Sequence, residues 1–214
     1  MKIFLDFDDT LFNTAAFIGV SRSLFVDFGV SEEMYKDAWQ KVREWRGLES
    51  LSYDFEAHMK ELHKKKDFDD KESRKKVEDF YRERTREYVF PDVEGFLQKM
   101  RDRGNALYLI SFKTGDFQDK KIAASGLAKY FDALATGPEE KGEVLRQFFG
   151  ENEEVNGCFV DDRLHQIESV KRTFPKIITI HMQRREGRYH DESNESCDYV
   201  VSDLEEAENI LMER

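Results

Sequence analysis

An α/β protein is predicted by this sequence: a doubly wound parallel sheet with a small all-helical unit inserted close to its start. Three observations carry that prediction. A short apolar run, Lys2–Leu5, ends abruptly at an acidic cluster. The following stretch to about residue 89 keeps a helical period, and from Pro91 onward helical stretches alternate with short apolar runs.

Lys2–Leu5 reads as a strand closed by Asp6-Phe7-Asp8-Asp9-Thr10. After Thr14, Phe17, Val20, Leu24 and Phe28 form one helical face, Gly29 stops the helix and Ser31 can cap the next. Met34, Ala38, Val42 and Trp45 continue the pattern to a stop at Gly47. Phe55, Met59 and Leu62 mark a third helix, and Val77, Phe80 or Tyr81, Arg84 and Tyr88 a fourth that ends before Pro91. These four can bury their stripes together as a small bundle. Beyond them, a helix over 93–103 leads through Gly104 to an apolar run at 106–110, too short for a helix of its own. Residues 155–160, 177–180 and Tyr199–Val201 read as further strands, separated by helices at 143–149 and Leu164–Thr173 and followed by Leu204–Met212. That alternation implies parallel strands with helices on both faces. No internal repeat or low-complexity segment interrupts it.

The chain of 214 residues can hold one domain with a large insertion, or two small ones. With 39% hydrophobic and 37% charged residues, 18 Phe and only 3 Pro, it has the composition of a folded, helix-rich soluble protein. No apolar run approaches the roughly 18 residues of a bilayer span, so neither a membrane segment nor a signal peptide is expected. The two cysteines, Cys158 in an apolar run and Cys197 in a polar one, make no disulfide framework, and a reducing cytoplasm fits. A formal net charge of -11 argues against nucleic-acid binding. Residues 14–89 are nearly neutral, with 16 Lys and Arg against 17 Asp and Glu, so the negative charge is concentrated elsewhere. The run His63-Lys64-Lys65-Lys66 has no aromatic platform interleaved and reads as solvated surface.

In a doubly wound sheet, ligands sit beyond the carboxyl ends of the strands, so the polar residues that follow apolar runs are the ones to collect. They are Asp6 and Asp8, Ser111, and the pair Asp161-Asp162, with Lys141 opening a helical stretch before that pair. Singly, Ser111 also reads as a turn residue, Asp162 as a helix cap and Lys141 as a surface charge. Together, several carboxylates converging on one edge need a cation, and hard oxygen ligands suit Mg²⁺.

These residues resemble the haloacid dehalogenase superfamily. Asp6-Phe7-Asp8-Asp9-Thr10-Leu11 matches its first motif, Ser111 the second, Lys141 in Lys-Gly-Glu-Val-Leu the third, and Phe159-Val160-Asp161-Asp162 the fourth. Phe90-Pro91-Asp92-Val93 resembles the family's return to the core, and Gly126-Leu127 with Tyr130-Phe131-Asp132 its phrase before the third strand. The resemblance covers essentially the whole chain. It implies a Rossmann-like catalytic core at 1–13 and 90–214, and a helical cap at 14–89. Two departures stand out: Phe112 and Lys113 follow Ser111 where a small or amide residue is common, and His165 and Gln166 lie where many relatives carry a further acid or Asn.

The resemblance also implies a reaction: Mg²⁺-dependent hydrolysis of a small phosphorylated metabolite through an aspartyl-phosphate. On that pattern Asp6 is the nucleophile and a metal ligand, Asp8 binds the metal through its backbone carbonyl, and Asp162 binds through its carboxylate with Asp161 in support. The Asp8 side chain, free of the metal, protonates the leaving oxygen and later takes a proton from water. Ser111 and Lys141 hold the phosphoryl group. The acid at Asp8 argues against dehalogenation. A phosphomutase shares all four motifs and stays open as an alternative, as, less strongly, does a binding protein on the same scaffold. A phospho-accepting receiver domain fits less well, since there the acidic pair precedes and the Lys comes last. Arg43, Arg46 and Gly47 are candidate substrate contacts in the cap, while Trp39, Trp45 and the Phe-rich stripes read as its core. His58, His63, His181 and His190 show no metal-ligand spacing. Substrate identity and oligomeric state are not legible in the sequence.

Overall fold

In the computed structural model, which describes residues 1–46, 53–64, 70–113, 116–150 and 155–213, Ile3, Phe4 and Leu5 are all buried, as a strand covered on both faces requires. They belong to the first of six strands: β1 (Lys2–Leu5), β2 (Ala106–Phe112), β3 (Ala133–Gly137), β4 (Gly157–Asp161), β5 (Ile178–Met182) and β6 (Tyr199–Val201). All pairings are parallel, in the order β3-β2-β1-β4-β5-β6. The described helices are α1 (Thr14–Asp27), α2 (Glu32–Arg46), α3 (Phe55–His63), α4 (Asp70–Arg84), α5 (Val93–Asp102), α6 (Phe117–Ser125), α7 (Lys141–Phe149), α8 (Leu164–Thr173) and α9 (Leu204–Met212).

The alternation of side chains along β1 separates two cores. Ile3 and Leu5 join Phe96, Leu97 and Met100 of α5, Ile122 of α6 and Leu204, Ala207 and Leu211 of α9. Phe4 points the other way, to Val144 and Leu145 of α7 and Ile167 and Val170 of α8. Truncating Phe4 to Ala at this position costs about 3–5 kcal/mol. The sheet is therefore wound on both faces, as expected. Because β1 has β2 on one side and β4 on the other, the winding reverses at its carboxyl end, where a crevice opens.

Helices α1 to α4 fill the gap between β1 and α5 and share a core of Phe25, Val30, Tyr35, Ala38, Phe55, Met59, Leu62 and Val77. They are not isolated from the sheet: Phe17 and Phe80 belong to the larger core, and Phe17 packs edge-on to Phe12 and Tyr88. The chain leaves and returns side by side, with Asn13 N donating to Tyr88 O (2.8 Å) and Phe90 N to Leu11 O (3.0 Å). No described helix is long and apolar enough to cross a membrane.

Two expectations about these helices are corrected. In α1 the inward face is Thr14, Phe17, Ser21 and Phe25, with Val20 at the surface. Ser21 tolerates burial because its hydroxyl donates to Phe17 O (2.8 Å), which satisfies the polar group within the helix. Trp45 is 77% exposed rather than core. The cap at Ser31 is present, accepting from Met34 N (3.2 Å), whereas Gly47, Lys65 and Lys66 lie outside the described residues.

Candidate active site

Parallel register brings the strand ends together. Leu5 pairs with both Leu109 and Val160, and Asp6 N continues the ladder to Val160 O (3.0 Å), so Asp6 emerges between the ends of β2 and β4. Asp161 is the last residue of β4, and Ser111 lies in β2 one residue from its end. Lys141 is delivered from across the crevice by the first turn of α7. Gly142 allows that turn to press against α8, for a Cβ there would meet Thr173 Oγ1 at 2.6 Å. Lys141 N is then held by Gln166 Oε1 (2.8 Å).

The Lys141 ammonium is buried, bonded to Asp6 Oδ1 and lying 2.5 Å from Asp161 Oδ2. Asp161 uses its second oxygen to accept from Arg163 N (2.8 Å), so both its acceptors are engaged. Asp162 is different: its Oδ2 is buried with no partner among the described residues. One oxygen each from Asp6, Asp161 and Asp162 lies within 4.8 Å of the others. Burial raises Asp6 to about 7 against the pull of Lys141, with Asp161 and Asp8 adding to the rise. Burial, then the charges of Asp6 and Asp161, push Asp162 well above the usual carboxylate range. A buried, underserved carboxylate beside two others is a donor set that fits a hard divalent cation. Among the described residues no histidine or cysteine joins the group.

The Asp8 side chain, expected to stay free of the metal as acid and base, is held by neighbouring groups: it accepts from Thr14 Oγ1 (2.5 Å), Lys121 Nζ (2.5 Å) and Gln118 Nε2 (2.7 Å). Burial works to raise its pKa, but Lys121 and Arg188, with the bonds from Lys121 and Thr14, bring it down to about 2. Gln118 Nε2 also donates to Ser111 Oγ (2.8 Å), which leaves the serine proton to be given elsewhere. The turn that aims these groups is tight: Asp9 adopts φ 56° and its amide donates to Phe12 O (2.8 Å). Two arginines brace it. Arg184 forks onto Asp92 (2.6 and 3.0 Å) and reaches Thr10 O (3.0 Å), while Arg188 Nε donates to Asp9 Oδ2 (2.5 Å).

Asp6, Asp8, Ser111, Lys141 and Asp162 all line one cavity of about 260 Å³. Asp161 sits behind it, wholly buried. From the helical insertion the cavity takes Arg22, Tyr35, Trp39 and Tyr53, so Trp39 is a wall residue rather than pure core. Arg43 is not among the lining residues, and neither the Arg46 side chain nor Gly47 is described. Of the two departures, Phe112 lines the cavity and Lys113 is turned onto Asp119; Gln166 holds the Lys141 amide, and His165 faces the cavity. Thr14, Gln118, Lys121, Arg163, Arg188 and Tyr189 were not anticipated. Of these only Arg163, which directly follows the fourth motif, stands next to a predicted site residue.

The model of the haloacid dehalogenase-like hydrolase family matches residues 3–180. A Thermus thermophilus phosphoserine phosphatase is 37% identical over 67 residues, which is 31% of this chain and 27% of that protein; the match thus spans about a quarter of the relative's length. Among solved structures, a Burkholderia xenovorans protein assigned as a haloacid dehalogenase-like hydrolase aligns at TM-score 0.72 and 18% identity, covering 99% of this chain and 96% of its own. A HAD phosphatase from Thermococcus onnurineus aligns at TM-score 0.65 and 21% identity, covering 99% and 98%. At such identities the structural likeness speaks for the fold.

Proposed function

The chain belongs to the haloacid dehalogenase-like hydrolase family, and from that premise we propose that it is a cytoplasmic phosphatase that cleaves a small phosphomonoester through an aspartyl-phosphate at Asp6. The observation that carries the reading is the Asp6 carboxylate at the mouth of the reversal point, one oxygen bound by Lys141 and the side chain lining the cavity. In this reading residues 1–13 and 90–214 form the catalytic core and 14–89 the cap.

Asp6 attacks phosphorus as the ester oxygen departs, and water then hydrolyses the acyl phosphate to regenerate the carboxylate. Lys141 offsets the charge of the phosphoryl group, and Ser111, oriented by Gln118, donates to one of its oxygens. Asp8 gives a proton to the departing oxygen and takes one from the attacking water. The ionised state held by Lys121 suits the second role directly; the first requires the carboxylate to be released from Lys121 and protonated. Asp6, Asp162 and the Asp8 backbone carbonyl, supported by Asp161, are the groups that would hold Mg²⁺. When bound, the ion neutralises charge that would otherwise repel the phosphomonoester dianion.

The test is release of inorganic phosphate from a panel of sugar phosphates, nucleotides and phosphorylated acids, with Asp6→Asn as control. Asp6→Asn keeps the shape but not the nucleophile, so turnover is expected to vanish while the unfolding midpoint stays near wild type. Near-normal phosphate release by the variant would overturn the reading, and phosphoryl transfer to a second hydroxyl in place of release would make it a mutase.

A further inference from the structure

The cavity carries more positive charge than transfer of one phosphate uses. Among the described residues, Arg22, Lys121, Lys141, Arg163 and Arg188 line it against the carboxylates of Asp6, Asp8 and Asp162, in a chain of formal net charge -11. The two lysines are already committed: Lys141 to Asp6 and Asp161, Lys121 to Asp8. Arg163 is not. It has no carboxylate partner among the described residues, and its Nε is buried without an acceptor. Its guanidinium carbon lies over the Tyr189 ring, 3.8 Å from the centroid, a cation–π contact that uses none of its N–H groups and leaves them for another partner. Arg188 lies 5.2 Å from the same ring; it spends Nε on Asp9, and its terminal nitrogens have no hydrogen bond among the described residues.

Two guanidiniums gathered on one aromatic ring, in a cavity of about 260 Å³ that Asp6 also lines, form a receptor for an oxyanion, carboxylate or phosphate. A cavity below about 300 Å³ admits only a small ligand, so this second anion and the phosphate must belong to one short molecule. We propose that Arg163 and Arg188, held against Tyr189, bind a second anionic group of the substrate, so that the enzyme selects short phosphomonoesters bearing a carboxylate or a second phosphate. This rests on the phosphatase reading and adds substrate selection to it. Arg163 also follows Asp162 directly and its amide holds Asp161, so this arm of the anion subsite shares a loop with the acidic cluster. Arg22 is exposed at the rim and pairs with no part of this arrangement.

The experiment compares phosphoglycolate, ethane-1,2-diyl bisphosphate and the uncharged-tail control ethyl phosphate, using wild type, Arg163→Gln and Arg163→Lys. Both kcat/KM for phosphate release and Kd by calorimetry are measured. Wild type is expected to favour a compound with a second anionic group over ethyl phosphate by at least about tenfold, the scale of a hydrogen bond to a charged group. Arg163→Gln collapses that ratio, mainly through KM, and Arg163→Lys restores part of it, which a loss of folding would not do. Which anionic compound shows the larger ratio identifies the second group as carboxylate or phosphate. Equal ratios in wild type and Arg163→Gln, or a wild-type preference for ethyl phosphate, overturn the subsite while leaving the phosphatase reading in place. Arg163-dependent binding of an anionic compound with no phosphate release from any compound upholds the subsite and overturns the phosphatase reading.

Discussion

Lys121 Nζ lies 2.5 Å from Asp8 Oδ1, an ion pair that joins α6 to the loop after β1. The ammonium is 5% exposed and sits 5.4 Å from the centroids of the Phe7 and Phe12 rings, so the pair is poorly solvated on the lysine side. Removing one partner leaves the other charge in that setting. Lys121→Met is expected to destabilise the protein by about 1–3 kcal/mol, and to cost much less in an Asp8→Asn background. A double-mutant cycle by denaturant unfolding checks this: a coupling below about 0.5 kcal/mol would mean the pair is incidental.

The acidic cluster yields the second prediction. Asp162 has a buried oxygen without a partner and a strongly raised pKa, so in the absence of metal it is a burden on the fold. Asp162→Asn should therefore leave the unfolding midpoint in chelator unchanged or higher, while abolishing the stabilisation given by Mg²⁺. For wild type that stabilisation is about 2.7 kcal/mol at a hundredfold excess over Kd. Its pH dependence has a definite sign. Asp6 titrates at about 7, so binding at pH 6 must displace protons that are largely gone at pH 8, and Mg²⁺ should bind more tightly at the higher pH. Equal midpoint shifts at both values, or full activity in excess chelator, would refute the assignment.

What the sequence disclosed follows from how each group is presented. Asp6, Ser111, Asp161 and Asp162 each sit in or just after an apolar strand, and that edge between apolar run and polar residue is visible in one dimension. Lys141 was found through its motif. Helix α6 was not anticipated because its buried face is Gln118, Lys121, Ile122 and Ser125, so no apolar stripe advertises it. Gln118 and Lys121 are buried because they face Asp8 and Ser111 rather than the core, and only tertiary structure supplies their partners. Strand β3 is short, largely small residues and only partly buried, so the run Ala133–Gly137 carries little hydrophobic signal. The rotation of α1 has the same origin: a serine turned inward is readable only once its hydrogen bond to Phe17 is known.

The third prediction concerns His58 in α3. It is wholly buried, its Nε2 donating to Tyr35 O (3.0 Å) and its Nδ1 accepting from the Tyr53 hydroxyl (2.8 Å). Burial lowers its pKa to about 4, against the bond to the Tyr35 carbonyl. Between that value and the ordinary 6.5 the unfolded chain binds the proton and the folded chain does not, so stability falls as pH drops through this window. The contribution is about 1.4 kcal/mol per pH unit and up to about 3 kcal/mol in all. His58→Gln should be less stable at pH 7 through lost packing, yet show a flatter decline between pH 6.5 and 4. Parallel midpoint-against-pH curves for the two proteins would exclude this role for His58.

The last prediction asks whether Asp8 protonates the leaving group. An alkyl phosphate releases a strongly basic oxygen that needs a proton as the bond breaks, whereas an aryl phosphate releases an oxygen that departs with little help. If Asp8 supplies that proton, Asp8→Asn should lower kcat/KM on an alkyl phosphate by about 10²–10⁴-fold and on an aryl phosphate by much less. Lys121 sharpens the measurement. Because Lys121 holds Asp8 ionised, Lys121→Met should raise the Asp8 pKa and move the basic limb of the alkyl-phosphate profile to higher pH, with little movement of the aryl profile. Loss of a merely structural ion pair would depress both substrates together. An equal loss on the two substrates in Asp8→Asn would remove Asp8 as the acid and leave it as an anchor for Lys121, Gln118 and Thr14. The proton would then have to come from a group the cavity presents at the same edge, and His165, whose pKa is lowered by partial burial and by Arg163, would be the next residue to replace.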